Sequence, residues 1–120
     1  MDLATLRSYL QNKRNAVEDY PFGPEYMVFK VGGRMFALVA ATIDPLRMNL
    51  KCRPEDAVVL RDIYEAVKPG YHMNKRHWNT VVLDGSIPDE LVRVLIDDSY
   101  ELVVEKLPRP VREQIRQASK

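Results

Sequence analysis

The stretch GYHMNKRHWNTVVL, residues 70 to 83, holds both histidines of the chain, its only tryptophan and an adjacent Lys75-Arg76 pair, with no acidic residue among them. Four roles suit such a group. His72 and His77 stand five apart, a separation seen in zinc sites. His77, with Asp84 and Ser86 downstream, has the residue types of an acid–base or nucleophilic set. Lys75, Arg76, Asn74 and the two imidazoles supply donors for phosphate oxygens, a task that tolerates loose geometry. The group can also simply fold a corner, with Trp78 packed where a loop enters a strand and Asn74 turning the backbone.

The first two roles lack partners. Neither a CxxC nor an HExxH accompanies the histidines, and a third metal ligand would have to be Cys52 or a distant carboxylate. Cys52 falls in step with Leu46, Met48 and Leu50, which marks it as a packed thiol, so no metal site is expected. Ser86 and Asp89 are spaced as a capping box, which explains Ser86 better than nucleophilic catalysis does. Gly-x-Ser-x-Gly, phosphate-loop and dinucleotide fingerprints are missing, so neither an enzyme nor a cofactor is expected. A folded corner that also grips phosphate fits the composition best.

Overall charge does not decide the matter. The formal net charge is +1 over 120 residues, without the basic excess that by itself points to nucleic acid. Charge is instead segregated. Lys68, Lys75 and Arg76 are the only charged side chains between Glu65 and Asp84, whereas Asp89, Glu90, Asp97, Asp98, Glu101 and Glu105 face a single Arg93 further on. The end turns basic again with Lys106, Arg109, Arg112, Arg116 and Lys120 against Glu113. One cysteine excludes an intrachain disulfide and suits a reducing cytoplasm. MDLATLRSYLQNKRN lacks the apolar core of a signal peptide, and no apolar run approaches membrane-spanning length.

The elements that must position these residues follow from periodicity. Asp2 is a good N-cap for a helix carrying Leu3, Leu6, Leu10 and Val17, and YPFGP breaks the chain into a turn. YMVFKV and RMFALVA flank Gly32-Gly33, a two-residue loop suited to a primed hairpin turn. Pairing Val31 with Arg34 then sets Phe29 opposite Phe36 and Met27 opposite Leu38. PLRMNLKC alternates, with Arg47, Asn49 and Lys51 on one side, spaced about 7 Å apart like successive phosphates of one strand. Pro54 opens a helix whose buried side is Ala57, Leu60, Ile63, Tyr64 and Val67; Arg53 is a poor cap for it. WNTVVLD is a last strand, and a long helix with Leu91, Leu95, Leu102 and Val103 inward follows, until Pro108 and Pro110 stop it.

The predicted architecture is α+β, a single domain over 1–107 with element order α-β-β-β-α-β-α, then a basic C-terminal tail or short helix over 108–120. Short connections among the first three strands favour antiparallel pairing, with helices covering one face.

Several of these segments resemble the MmcQ/YjbR family of small bacterial proteins: YPFGPEYMVFKVGGRMFAL, LRMNLKCRPEDA, GYHMNKRHWNTVVLDGSIPDEL and DDSYELVVEKLP. The most specific part is His72-x-Asn74-Lys75-x-His77-Trp78-x-Thr80, ending in Leu83-Asp84-Gly85. The resemblance implies a CyaY-like domain, the fold class of frataxins, also described as a double wing, in a family commonly labelled DNA-binding. It nominates His72, Asn74, Lys75, His77 and Trp78 with Arg47, Asn49 and Lys51. The charge of Arg76 joins them, although that position varies in the family pattern. DNA is the expected partner. A protein-interaction module using Trp78, Tyr26 and Met35 on the sheet face is the alternative, and a small-ligand or metal site at His72 and His77 is the third.

Overall fold

Asp2 caps the first helix, its carboxylate accepting the Thr5 N–H at 2.8 Å. The computed structural model describes residues 1–71 and 73–117; His72 and the end of the basic tail, including Lys120, lie outside the described residues. The elements in order are α1 (Leu3–Gln11), β1 (Val17–Asp19), β2 (Tyr26–Val31), β3 (Arg34–Ala40), β4 (Leu46–Lys51), α2 (Pro54–Ile63), β5 (Val67–Pro69), β6 (Trp78–Leu83), α3 (Asp89–Glu105) and α4 (Arg109–Gln117). The class is the expected α+β. All pairings are antiparallel, in the order β1-β2-β3-β4-β6-β5.

Two short edge strands, β1 and β5, are additions to the expected order. Val17 opens β1 instead of extending the first helical stripe, and Val67 lies in β5 instead of on α2. Three-residue strands carry too little alternation to stand out in sequence. On α2, Ala57 is buried as expected, but Ile63 is 64% exposed, because the helix ends there and the chain turns into β5.

The hairpin turn has positive φ at Gly32 and Gly33, as a primed turn requires, and Val31 does pair with Arg34. The register then departs from strict alternation. Lys30 pairs with Met35 but Phe29 pairs with Ala37, so Phe36 is an extra, bulged residue. Phe36 and Ala37 are therefore both buried, Met27 faces Val39, and Leu38 moves to the opposite side of the sheet. Ser99 of α3 holds the bulge: fully buried, it accepts the Lys51 N–H at 2.9 Å and donates to the Phe36 carbonyl at 2.6 Å. Phe36 meets Tyr100 edge to face, centroids 5.3 Å apart.

The core lies between one sheet face and the helices. Met27, Phe29, Val39, Met48, Leu50 and Val81 meet Leu6 and Leu10 of α1 and Val92, Ile96, Val103 and Val104 of α3. Leu91, Leu95 and Leu102, expected to point inward, are half-buried and flank this stripe. The capping box does not form. Pro88 occupies the N-cap of α3, and Ser86 turns back to donate to Asp84 at 2.6 Å. Past Pro108 the tail forms helix α4, which seats Ile115 in the core. Its cations fold back: Arg109 pairs with Glu113 at 2.8 Å and Arg116 approaches Glu101 of α3 at 3.8 Å.

Candidate nucleic-acid interface

The sheet face turned away from the helices carries Tyr26, Val28 and Lys30 of β2, Leu38 and Ala40 of β3, Arg47, Asn49 and Lys51 of β4, and Trp78, Thr80 and Val82 of β6. Cross-strand pairing sets two of its rows: Val28, Leu38, Asn49, Thr80 and Lys68 in one, Tyr26, Ala40, Arg47 and Val82 in the next. Asp19 of β1 is the acidic strand residue here, and Lys30 takes it at 3.0 Å. The acids of α3 lie on the other side of the sheet, so the segregation seen along the chain becomes segregation between faces.

At Gly70 and Tyr71 the chain folds onto this same face. It leaves β5 at the edge, yet the Tyr71 carbonyl accepts the Asn49 Nδ2 at 3.4 Å, and Asn49 lies on β4, beyond β6. The Tyr71 N–H donates to Thr80 Oγ1 at 3.0 Å, and the Thr80 hydroxyl donates to Asn49 Oδ1 at 2.5 Å. Asn49 and Thr80 are consequently buried, at 8% and 4% exposure. Gly70 permits the approach: a Cβ there would sit 2.8 Å from the Trp78 carbonyl oxygen.

Within the loop, Lys75 donates from Nζ to the Gly70 carbonyl at 3.0 Å. Asn74 accepts the Arg76 N–H on its side chain and the His77 and Trp78 N–H groups on its carbonyl, the turn-forming role expected of it. The His77 carbonyl accepts the Cys52 N–H at 2.7 Å, tying the loop's exit to the end of β4.

The nominated residues thus divide. Arg47 and Arg76 are exposed, with no ion pair among the described residues. Lys51 is partly buried, and its ammonium is held below the ordinary lysine range, first by that burial and then by the positive charges of Lys106 and Arg34. These three remain available to an anion. Lys75 is exposed but also staples its own loop, and Asn49 and Asn74 are engaged in shaping the face. Trp78 is half-buried on the open face and is not a member of the core, contrary to its expected packing role. Half-buried His77 stays beside it, whereas His72 lies outside the described residues.

The catalytic set does not assemble. His77 and Asp84 stand at opposite ends of β6, about 20 Å apart at an ordinary strand rise, and Ser86 keeps company with Asp84 alone. Among the described residues no three His, Cys, Asp or Glu side chains gather as a metal site. The Cys52 thiol is pushed up to about 11, chiefly by burial and then by Asp56 and Asp98, which disfavours the thiolate a metal would need. No helix among the described residues is long and apolar enough to cross a membrane.

Sequence reasoning passed over Thr80, Tyr71 and Ser99 as site-forming residues. Thr80 alone carried a signal, a hydroxyl inside an apolar strand. Its meaning depends on Asn49 standing opposite, which is a matter of pairing.

Comparison with known proteins bears on the family and the fold. The family model described as YjbR matches residues 11–102. The uncharacterized Escherichia coli protein YbdF is 42% identical over 97 residues, covering 81% of this chain and 80% of its own length. The uncharacterized YjbR of Escherichia coli K12 is 35% identical over 117 residues, covering 98% and 99%. A Deinococcus radiodurans crystal structure superposes with a TM-score of 0.90 at 42% identity, covering 95% of this chain and 87% of that one. A Pseudomonas syringae protein gives 0.74 at 32% identity, covering 85% and 98%. With the family model spanning most of the chain, and relatives matching it nearly end to end, the chain belongs to the YjbR family.

Proposed function

We propose that this protein binds DNA without acting on it chemically, through phosphate contacts made by the open sheet face and the 70–78 loop. One observation supports the reading: the Asn49–Tyr71–Thr80 bonds lay Tyr71 across β6 onto a face that carries Arg47 and whose strand acid is already paired, with exposed Lys75 and Arg76 a few residues further along the chain. Phosphate contact supplies most non-specific affinity and needs no recognition helix. Tyr71 and Tyr26, exposed at 64% and 39%, flank the cations and offer stacking surfaces, which favours single-stranded over duplex DNA. The double-wing description and a cytoplasmic setting go with this reading, and a lone free cysteine suits a reducing compartment.

Fluorescence anisotropy with labelled single- and double-stranded DNA, over a salt series starting near ~50 mM, tests it. Affinity falls steeply with salt, and each cation removed from the set Arg47, Lys51 and Arg76 flattens the log–log slope by about 0.7 on single strands or 0.9 on duplex. No binding at the lowest salt, or a slope unchanged in the triple alanine variant, overturns it.

The exposure of Tyr26 and the half-exposed Trp78 favour one second reading, a protein-interaction surface on the same face, since aromatic anchors dominate such interfaces. Salt-insensitive capture of a protein that is lost on Tyr26→Ala supports it.

A further inference from the structure

On the opposite side of the sheet a cleft of about 350 Å³ opens between α2 and α3. Its floor is Leu50, Val67 and Val81, and its walls are Leu60 of α2 with Leu95 and Leu102 of α3. That volume is within the range of small-molecule sites, which are mostly apolar with a few placed polar groups. Here the polar groups have one character.

Asn79 lies in the floor, 3% exposed. Its Nδ2 donates to the Ala57 carbonyl at 3.4 Å, which fixes the orientation of the amide because a carbonyl cannot donate in return. Asn79 Oδ1 is then a buried acceptor with no donor, the only such side-chain atom among the described residues. Leaving an amide oxygen unbonded in the interior is unfavourable, and native structures rarely tolerate it without reason.

The lip is acidic. Asp56 of α2 and Asp98, Glu101 and Glu105 of α3 line it, against Lys51 and Arg53 at the β4 end. Asp56 and Asp98 form no ion pair among the described residues. The Asp98 carboxyl is pushed above the usual carboxylate range by burial, then by Asp97 and Asp56, with only Arg53 opposing. An added cation relieves that repulsion.

We propose that the α2–α3 cleft is a binding site for a small organic ammonium ion with an apolar body, its N–H groups shared between the Asp98 carboxylate and the unpartnered Asn79 Oδ1. An anionic ligand meets four carboxylates, and a neutral one leaves Asp98 and Asp56 unrelieved. Only Lys51 borders both this cleft and the proposed DNA face; Asp98 and Asn79, on which the test turns, belong to the cleft alone, so failure of one reading leaves the other standing.

The test is titration of the isotopically labelled full chain with 2-phenylethylamine, followed by amide and side-chain NMR shifts, with 2-phenylethanol as the uncharged counterpart. Saturable shifts at the Asn79 side-chain amide and at Leu60 and Leu95 are expected, with the alcohol binding at least about tenfold more weakly. Asp98→Asn, at an exposed position, weakens the amine at least about threefold and leaves the alcohol unchanged. Equal binding of amine and alcohol overturns the proposal, as do shifts confined to other surfaces or no saturation by about 10 mM, which is weaker than any useful affinity for a ligand this size. Asn79→Leu, if folded by the same spectrum, removes the selectivity for amine over alcohol; retention of that selectivity also refutes the role given to Asn79.

Discussion

Thr80→Val isolates the geometry of the open face from its charge. Valine keeps the shape of threonine and loses the hydroxyl, which at 4% exposure donates to Asn49 Oδ1 and accepts the Tyr71 N–H. Stranding a buried polar group costs about 1–3 kcal/mol. Two are stranded, but Tyr71 belongs to a loop whose ring is already 64% exposed, so the loop can lift and rehydrate both. That escape caps the loss at about 1–2 kcal/mol, roughly a tenfold change in the opening equilibrium of the loop. Amide exchange at Tyr71 should therefore quicken about tenfold, while exchange in β3 and β4 changes only by the global loss seen in urea unfolding. Net charge is untouched, so weaker DNA binding in this variant reports displacement of Lys75 and Arg76 rather than removal of charge. An unchanged Tyr71 protection factor, with stability within about 0.3 kcal/mol of the parent, refutes the claim that these bonds hold the loop down.

Ser99→Ala strands the Lys51 N–H and the Phe36 carbonyl in the core and should lower urea stability by about 2–4 kcal/mol, slightly offset by the helix preference of alanine. A loss below about 1 kcal/mol means the bulge holds without the hydroxyl. Gly70→Ala drives a Cβ to within 2.8 Å of the Trp78 carbonyl oxygen, so β5 and β6 must part. Thermal unfolding should register a loss of about 1–3 kcal/mol, and an unchanged Tm contradicts the close approach. Glu18 is held at about 2, first by its hydrogen bonds from Arg7. Because that value lies below the ordinary 4.5, its stabilisation is complete above pH 4.5 and disappears as pH falls towards 2. Arg7 is 49% exposed, so solvent screening keeps the effect small. Arg7→Ala should flatten the acid limb of stability against pH; an identical limb in both proteins removes Arg7 as its cause.

Local chemistry made much of this protein legible from sequence. Gly32-Gly33 between two apolar runs specifies a primed turn, Asp2 a helix start, and the alternation of Leu46 to Lys51 a strand with one polar side, because each depends on neighbours within a few residues. Those same patterns separate core from solvent and so imply a helix-covered sheet. What tertiary structure alone decided is non-local. The bulge at Phe36 moves Leu38 from the expected inner face to the outer one, and it persists because Ser99, sixty-three residues away, satisfies the backbone that the bulge exposes. β6 inserts between β4 and β5, which sets Thr80 against Asn49 and lets Tyr71 reach both. Alternation says which residues share a side of one strand; only pairing, with its hydrogen bonds between distant segments, says which strands stand together, and that brought Tyr71 of the loop onto Asn49 and Thr80 of the sheet.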